Sequence, residues 1–197
     1  MLPGDRLACL LIDPLKTGDR FLHWPLHVTI VAWFRLDDSS EQLGRGFARA
    51  LRPVRPFTVR AGYEAHFGPR GRLVRLLETS PELTEVEQKV RAYLHKKRAW
   101  LVDETTKRHY DFRPHVTAQA GRRLPSGAIV ECDRLYIVEQ KGDYRQPDLP
   151  EISADSLASA NPAGNGSAGS HTPLDSFVRH GNYKEIVSEV CFGKTTA

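Results

Sequence analysis

The sequence predicts a domain of mixed strands and helices in which one pattern of elements runs twice. Three observations carry that prediction. The tripeptide His-Val-Thr occurs as His27-Val28-Thr29 and again 88 residues later as His115-Val116-Thr117. Each copy lies in a short apolar stretch of strand character, with a proline close before it, Pro25 and Pro114. Between and around the copies the apolar spacing switches between a period of two and the helical period. The resulting order is strand, His strand, helix, strand, strand, helix, His strand, strand.

Each element has its own signal. Leu7-Ala8-Cys9-Leu10-Leu11-Ile12 is a continuous apolar run, suited to a buried central strand. The first His strand runs from Pro25 through Ala32 and on to Phe34. Asp37, Asp38, Ser39 and Ser40 supply N-cap chemistry for a helix near 40–51, with Leu43, Phe47 and Leu51 on one face. Pro53 and Pro56 end it. Phe57 to Ala61 alternates like a half-buried strand, and Leu73 to Leu77 is another beyond the Gly68-Pro69-Arg70-Gly71 turn. Ser80-Pro81 opens a second helix, with Leu83, Val86, Val90 and Leu94 at helical spacing. Lys96, Lys97 and Arg98 complement the macrodipole at its end. The second His strand covers Arg113 to Ala118, and Ala128–Val130 and Leu135–Val138 supply the last strand material.

Composition narrows the class. With 197 residues, 40% apolar and 26% charged, the chain fits a soluble domain, or two small lobes sharing a core. Residues 1–150 hold 25 of the 28 Lys and Arg but 19 of the 24 Asp and Glu, so the body is basic and suits an anionic ligand. Cys9, Cys132 and Cys191 are scattered without metal-like spacing, which points to unpaired thiols in a reducing compartment. With no signal-peptide pattern and no apolar stretch near the roughly 20 residues that span a membrane, a cytoplasmic protein free of the membrane is expected. A monomer is expected as well. From Ser153 to Ser170 the composition turns to Ser, Ala, Gly and Asn, so the body is placed at 1–150 and a flexible linker at 151–171. A short amphipathic helical segment is expected over 172–197. Leu174, Phe177 and Val178 share one stripe of it, and Tyr183, Ile186, Val187 and Val190 share another. It either folds back on the body or docks on another protein.

The repeated tripeptide suggests chemistry. Side chains in a strand alternate faces, so each copy presents an imidazole beside a hydroxyl on one face and Val on the other. Two such pairs brought together surround a phosphate with two proton-transfer groups and two hydrogen-bond donors, the outline of a phosphodiesterase site. Histidine suits this because its ordinary pKa of about 6.5 allows one neutral and one charged copy near neutrality. The scheme requires no metal and no cofactor. Gly193-Lys194-Thr195 looks like the end of a phosphate-binding loop, but Ser188 stands where that motif needs Gly. A metalloprotein is disfavoured by the lack of any Cys-x-x-Cys.

The paired His-x-Thr strands, their separation and the element order resemble the 2H phosphoesterase superfamily. Within it, residues 1 to about 145 look most like the RNA 2′,3′-cyclic phosphodiesterases, also called 2′-5′ RNA ligases. The resemblance implies an α+β fold of two pseudo-symmetric lobes, with antiparallel sheets lining a central cleft and helices on the outside. It implies His27, Thr29, His115 and Thr117 as the catalytic set, with His27 the acid and His115 the base; the residues alone do not distinguish these roles. The implied reaction opens 2′,3′-cyclic phosphates on RNA ends or nucleotides to 2′-phosphates. Phe112-Arg113-Pro114-His115 departs from the family by placing Arg113 between the hydrophobic position and Pro. Arg113 shares parity with His115 and is a candidate phosphate contact, while Tyr110 and Trp33 are candidates to stack on a base. A core or surface role is the alternative for each of the three. Two further readings stand beside the hydrolase: a non-catalytic RNA-end binder, and an enzyme of the same architecture acting on 2′-5′ linkages or RNA 3′ ends.

Overall fold

Cap chemistry sets both helices where the sequence places them. In α1 (Ser40–Leu51) the Ser39 hydroxyl accepts from the Gln42 backbone and the Gln42 side chain accepts from the Ser39 backbone, a reciprocal capping box. In α2 (Pro81–Lys96) Ser80 caps the Leu83 backbone N–H, and proline sits in the first turn. The computed structural model describes residues 2–102, 112–144 and 181–193. Tyr110, the linker over 151–171 and residues 172–180 of the C-terminal segment lie outside the described residues.

Among the described residues ten strands accompany the helices: β1 (Arg6–Leu11), β2 (Arg20–Phe21), β3 (His27–Arg35), β4 (Phe57–Phe67), β5 (Arg72–Leu77), β6 (Trp100–Leu101), β7 (His115–Thr117), β8 (Ile129–Cys132), β9 (Arg134–Tyr144) and β10 (Gly181–Cys191). They form one sheet in the order β2-β10-β9-β1-β3-β7-β5-β4-β8, with β6 paired to β3 off that path. Every pairing is antiparallel. The fold is α+β, and its two lobes meet at the β3–β7 seam: β1, β9 and β10 continue the sheet on one side, β5, β4 and β8 on the other.

The two faces of the sheet differ. Val28, Ile30, Phe34 and Val116 pack with Leu43 and Phe47 of α1 and with Val86, Val90 and Leu94 of α2. The helices therefore cover the valine face of both His-Val-Thr strands. On the opposite face Leu7, Cys9, Leu11, Tyr136, Val138 and Ile186 form a smaller cluster edged by Phe21, Trp24 and Trp33. α1 lies so close to β10 that a Cβ on Gly44 would stand 2.5 Å from the Ser188 hydroxyl oxygen, so the helix depends on a missing side chain there. All three cysteines are free, Cys9 and Cys132 buried and Cys191 partly so.

One expectation is corrected. The described part of the C-terminal segment is the strand β10, paired along β9, and not a helix. Its register shifts between Asn182 and Lys184 and again between Ile186 and Ser188. The first shift carries its extra residue in β9; the second carries it in β10, at Val187, and flips the face that later β10 side chains occupy. Ile186 thus joins the smaller cluster while Val190 joins the main core, although the two are four residues apart. That extra residue breaks the period of two in β10, and the surviving apolar spacing imitates a helix. Among the described residues no helix is long and apolar enough to cross a membrane.

Candidate active site

β3 and β7 are hydrogen-bonded neighbours with Val28 directly opposite Val116. In an antiparallel pair that register sets His27 across from Thr117 and Thr29 across from His115. The valines point into the helix-covered core, so all four polar side chains stand on the other face, each partly exposed. The two imidazoles lie on the diagonal of a four-residue square. Cross-strand diagonals of this kind separate backbone positions by roughly 7–8 Å.

The two lobes hold their histidines in the same way. Each His is the first residue of its strand, so the carbonyls just before it are not committed to that strand's ladder. The carbonyl one residue back accepts from the neighbouring chain, Leu26 from the Ile12 N–H at 2.9 Å and Pro114 from the Leu77 N–H at 3.0 Å. The carbonyl two residues back accepts from the imidazole: His27 Nδ1 lies 2.8 Å from the Pro25 oxygen and His115 Nδ1 2.7 Å from the Arg113 oxygen. A carbonyl has no proton to give, so Nδ1 carries the hydrogen and Nε2 is left for exchange in both rings.

Aromatic rings back both imidazoles. Trp24 lies 4.5 Å from the His27 ring, tilted by 33°. Phe67, at the end of β4, meets the His115 ring at 4.8 Å and 68°. A cation stands over each aromatic ring, Arg113 at 4.5 Å from the centre of Phe67 and Lys184 of β10 at 5.7 Å from that of Trp24. Burial holds His27 below the ordinary histidine range, opposed by its bond to the Pro25 carbonyl and reinforced by the nearby charge of His115.

The seam therefore brings together His27, Thr29, His115 and Thr117, and it sets Arg113 beside them. Trp33 is one ring further out, partly buried and edge-on to Trp24 at 6.0 Å. Tyr110 is outside the described residues. Sequence reasoning missed Trp24, Phe67 and Lys184. An aromatic three positions ahead of His27 was a usable sign for Trp24, whereas nothing local marks Lys184. Among the described residues no three His, Cys, Asp or Glu side chains gather into a set able to hold a metal.

A family model described as the 2′-5′ RNA ligase superfamily matches residues 5–143. The chain belongs to this superfamily. Among solved structures, this superfamily member is similar to TT0787 of Thermus thermophilus, with 13% identity and a TM-score of 0.51 over 98% of this chain and 100% of that one. It is also similar to E. coli LigT complexed with NADP+, with 12% identity and a TM-score of 0.50 over 98% and 100% of the two chains. LigT complexed with ATP matches at 12% identity and a TM-score of 0.50, over 98% and 99%. At these identities the likeness is one of fold. No curated protein matches the chain. Membership of this superfamily of 2H phosphoesterases supports phosphoesterase or RNA ligase-type activity.

Proposed function

We propose that this protein opens 2′,3′-cyclic phosphates on RNA ends or nucleotides, leaving a 2′-phosphate, by metal-independent acid–base catalysis between His27 and His115. The observation that carries the reading is the Val28–Val116 register, which sets both His/Thr pairs on one face across a single seam. A phosphate lying over the seam has an Nε2 on either side. The neutral imidazole takes a proton from the attacking water as the new P–O bond forms. The imidazolium gives its proton to O3′ as the P–O3′ bond breaks, and the phosphate stays on O2′. Positioned proton transfer of this kind contributes roughly 10²–10⁴-fold in rate.

Thr29 and Thr117 donate their hydroxyls to the non-bridging oxygens, where negative charge grows in the transition state. Arg113 adds a guanidinium beside His115 and draws the anion to the second lobe. The resemblance assigns the acid to His27. Burial favours the neutral imidazole there, and a bound phosphate anion counters that bias. The basic body of residues 1–150 suits an RNA end in the same groove.

The test is product analysis. Thin-layer chromatography of a synthetic oligonucleotide ending in a 2′,3′-cyclic phosphate should show conversion to the 2′-phosphate. A 3′-phosphate would reject the assignment of the leaving oxygen, and unreacted substrate with folded protein would reject the activity.

A further inference from the structure

We propose that Lys184 is a positioning residue for this reaction, holding Trp24 against His27 from a strand that lies beyond the part of the chain the family model matches. The inference rests on His27 being a proton-transfer group, as proposed above. Three independent observations lead to it.

The first is the repeated stack. On the second lobe the order is Arg113, Phe67, His115, with 4.5 Å from guanidinium to ring centre and 4.8 Å from ring to imidazole. On the first lobe it is Lys184, Trp24, His27, with 5.7 Å and 4.5 Å. The parts come from unrelated places: Phe67 ends β4, Trp24 precedes β3, and Lys184 stands in β10. Shared local sequence therefore does not account for the likeness. A cation over an aromatic face is attracted by the ring quadrupole, most strongly for Trp and where water is partly excluded.

The second is the pair of register shifts between β9 and β10, the first with its extra residue in β9 and the second with its extra residue in β10. They fall just before Lys184 and just after Ile186, so the stretch between them keeps one register against β9, Lys184 opposite Gln140 and Ile186 opposite Val138. Ile186 belongs to the cluster on the catalytic face, and Lys184 shares its parity. Beyond the second bulge the strand turns its apolar side chains to the other core. Re-aiming one side chain beside an active site is what a bulge does well.

The third is the neighbourhood of Trp24. Phe21 meets it edge-on at 5.3 Å, and β2, which carries Phe21, pairs with β10 at Lys184 itself. The indole is therefore enclosed by His27, Phe21, Trp33 and the Lys184 ammonium. Burial also holds that ammonium below the usual lysine range, and the indole face is one compensation for the lost water. With Nδ1 tied to the Pro25 carbonyl and the ring packed against Trp24, the imidazole has little freedom left, and Nε2 is the nitrogen free for proton exchange.

The experiment compares Lys184→Met, which keeps the apolar stem and removes the charge, with Lys184→Arg, which keeps the charge. The Met variant should lose about tenfold in kcat with KM within about twofold of wild type, as expected for a misplaced group rather than a lost binding contact. The Arg variant should retain wild-type kcat. In the free protein, the His27 ring-proton resonances, shifted upfield by Trp24, should move toward their ordinary positions in the Met variant alone. Wild-type kcat and unmoved His27 resonances in Lys184→Met would overturn the proposal, as would equal losses in both variants. Lys184→Gln replaces the Met variant, with the same readings, if the latter does not fold. If wild type turns over no cyclic phosphate, the proposed function fails, while the His27 resonances still decide whether Lys184 positions the ring.

Discussion

Replacing His27 or His115 by alanine tests the seam directly. Each substitution removes one proton-transfer group, and the loss expected from that chemistry is roughly 10²–10⁴-fold in kcat, or about 2.7–5.5 kcal/mol at 1.36 kcal/mol per decade. The cost to folding is smaller. Each imidazole is partly exposed and makes one neutral hydrogen bond to a carbonyl. Such a bond contributes about 1 kcal/mol, which lowers Tm by roughly 2–4 °C in a chain of this size. Activity and stability thus separate by orders of magnitude. The double variant carries the sharper reasoning. The proposed mechanism has both rings serve one phosphate across the Val28–Val116 register, and groups that act as a unit do not multiply when removed together. His27→Ala combined with His115→Ala should lose little more than the worse single variant. Turnover of a cyclic-phosphate oligonucleotide, followed by product separation alongside thermal melting, measures all of this. Wild-type turnover in either folded single variant, or a double variant whose loss equals the product of the two, would refute the shared site.

Other expectations follow from the same geometry. Thr29→Val and Thr117→Val keep the strand shape but remove a donor, so each should reduce kcat by roughly 10²-fold with little change in KM; a rise in KM alone would mean the hydroxyls only hold substrate. Because burial lowers the His27 pKa in the folded protein, the unfolded chain binds the extra proton first as pH falls below about 6.5. Stability should therefore drop as pH falls from there to the lower folded value and then level off. His27→Gln should show a shallower fall of Tm between pH 7 and 5, and an equal slope would exclude His27 as the source. Burial pushes the Cys132 thiol up to about 12 and the Cys9 thiol higher still, whereas Cys191 is only half-buried. A thiol reagent should titrate one cysteine in the native protein and all 3 after denaturation. Fast reaction of more than one would show that the sheet opens readily.

Much of this was legible because the signals are local. Ser39 with Gln42 and Ser80 with Pro81 mark helix starts that hydrogen bonds within four residues enforce. The His-Val-Thr strands were legible twice over, once by alternation and once by repetition. What stayed hidden depends on partners far along the chain. Lys184 meets Trp24 across 160 positions, a contact that exists only once β10 has docked on β9 and β2. Phe67 reaches His115 because β5 carries β4 to the seam. The helical reading of 181–191 failed for a different reason: an extra residue between Ile186 and Ser188 interrupts the alternation by which a strand announces itself.

The first lobe is stitched from strands far apart in the sequence, since β1 sits between β3 and β9, and β9 leans on β10. A polypeptide leaving the ribosome therefore cannot finish this half until β10 has emerged. Until then β9 offers an 11-residue rim of unpaired amides and carbonyls, ready to recruit any other extended peptide. Expression clones trimmed at the end of the family match would make that passing state permanent, and self-association is the outcome to expect from them.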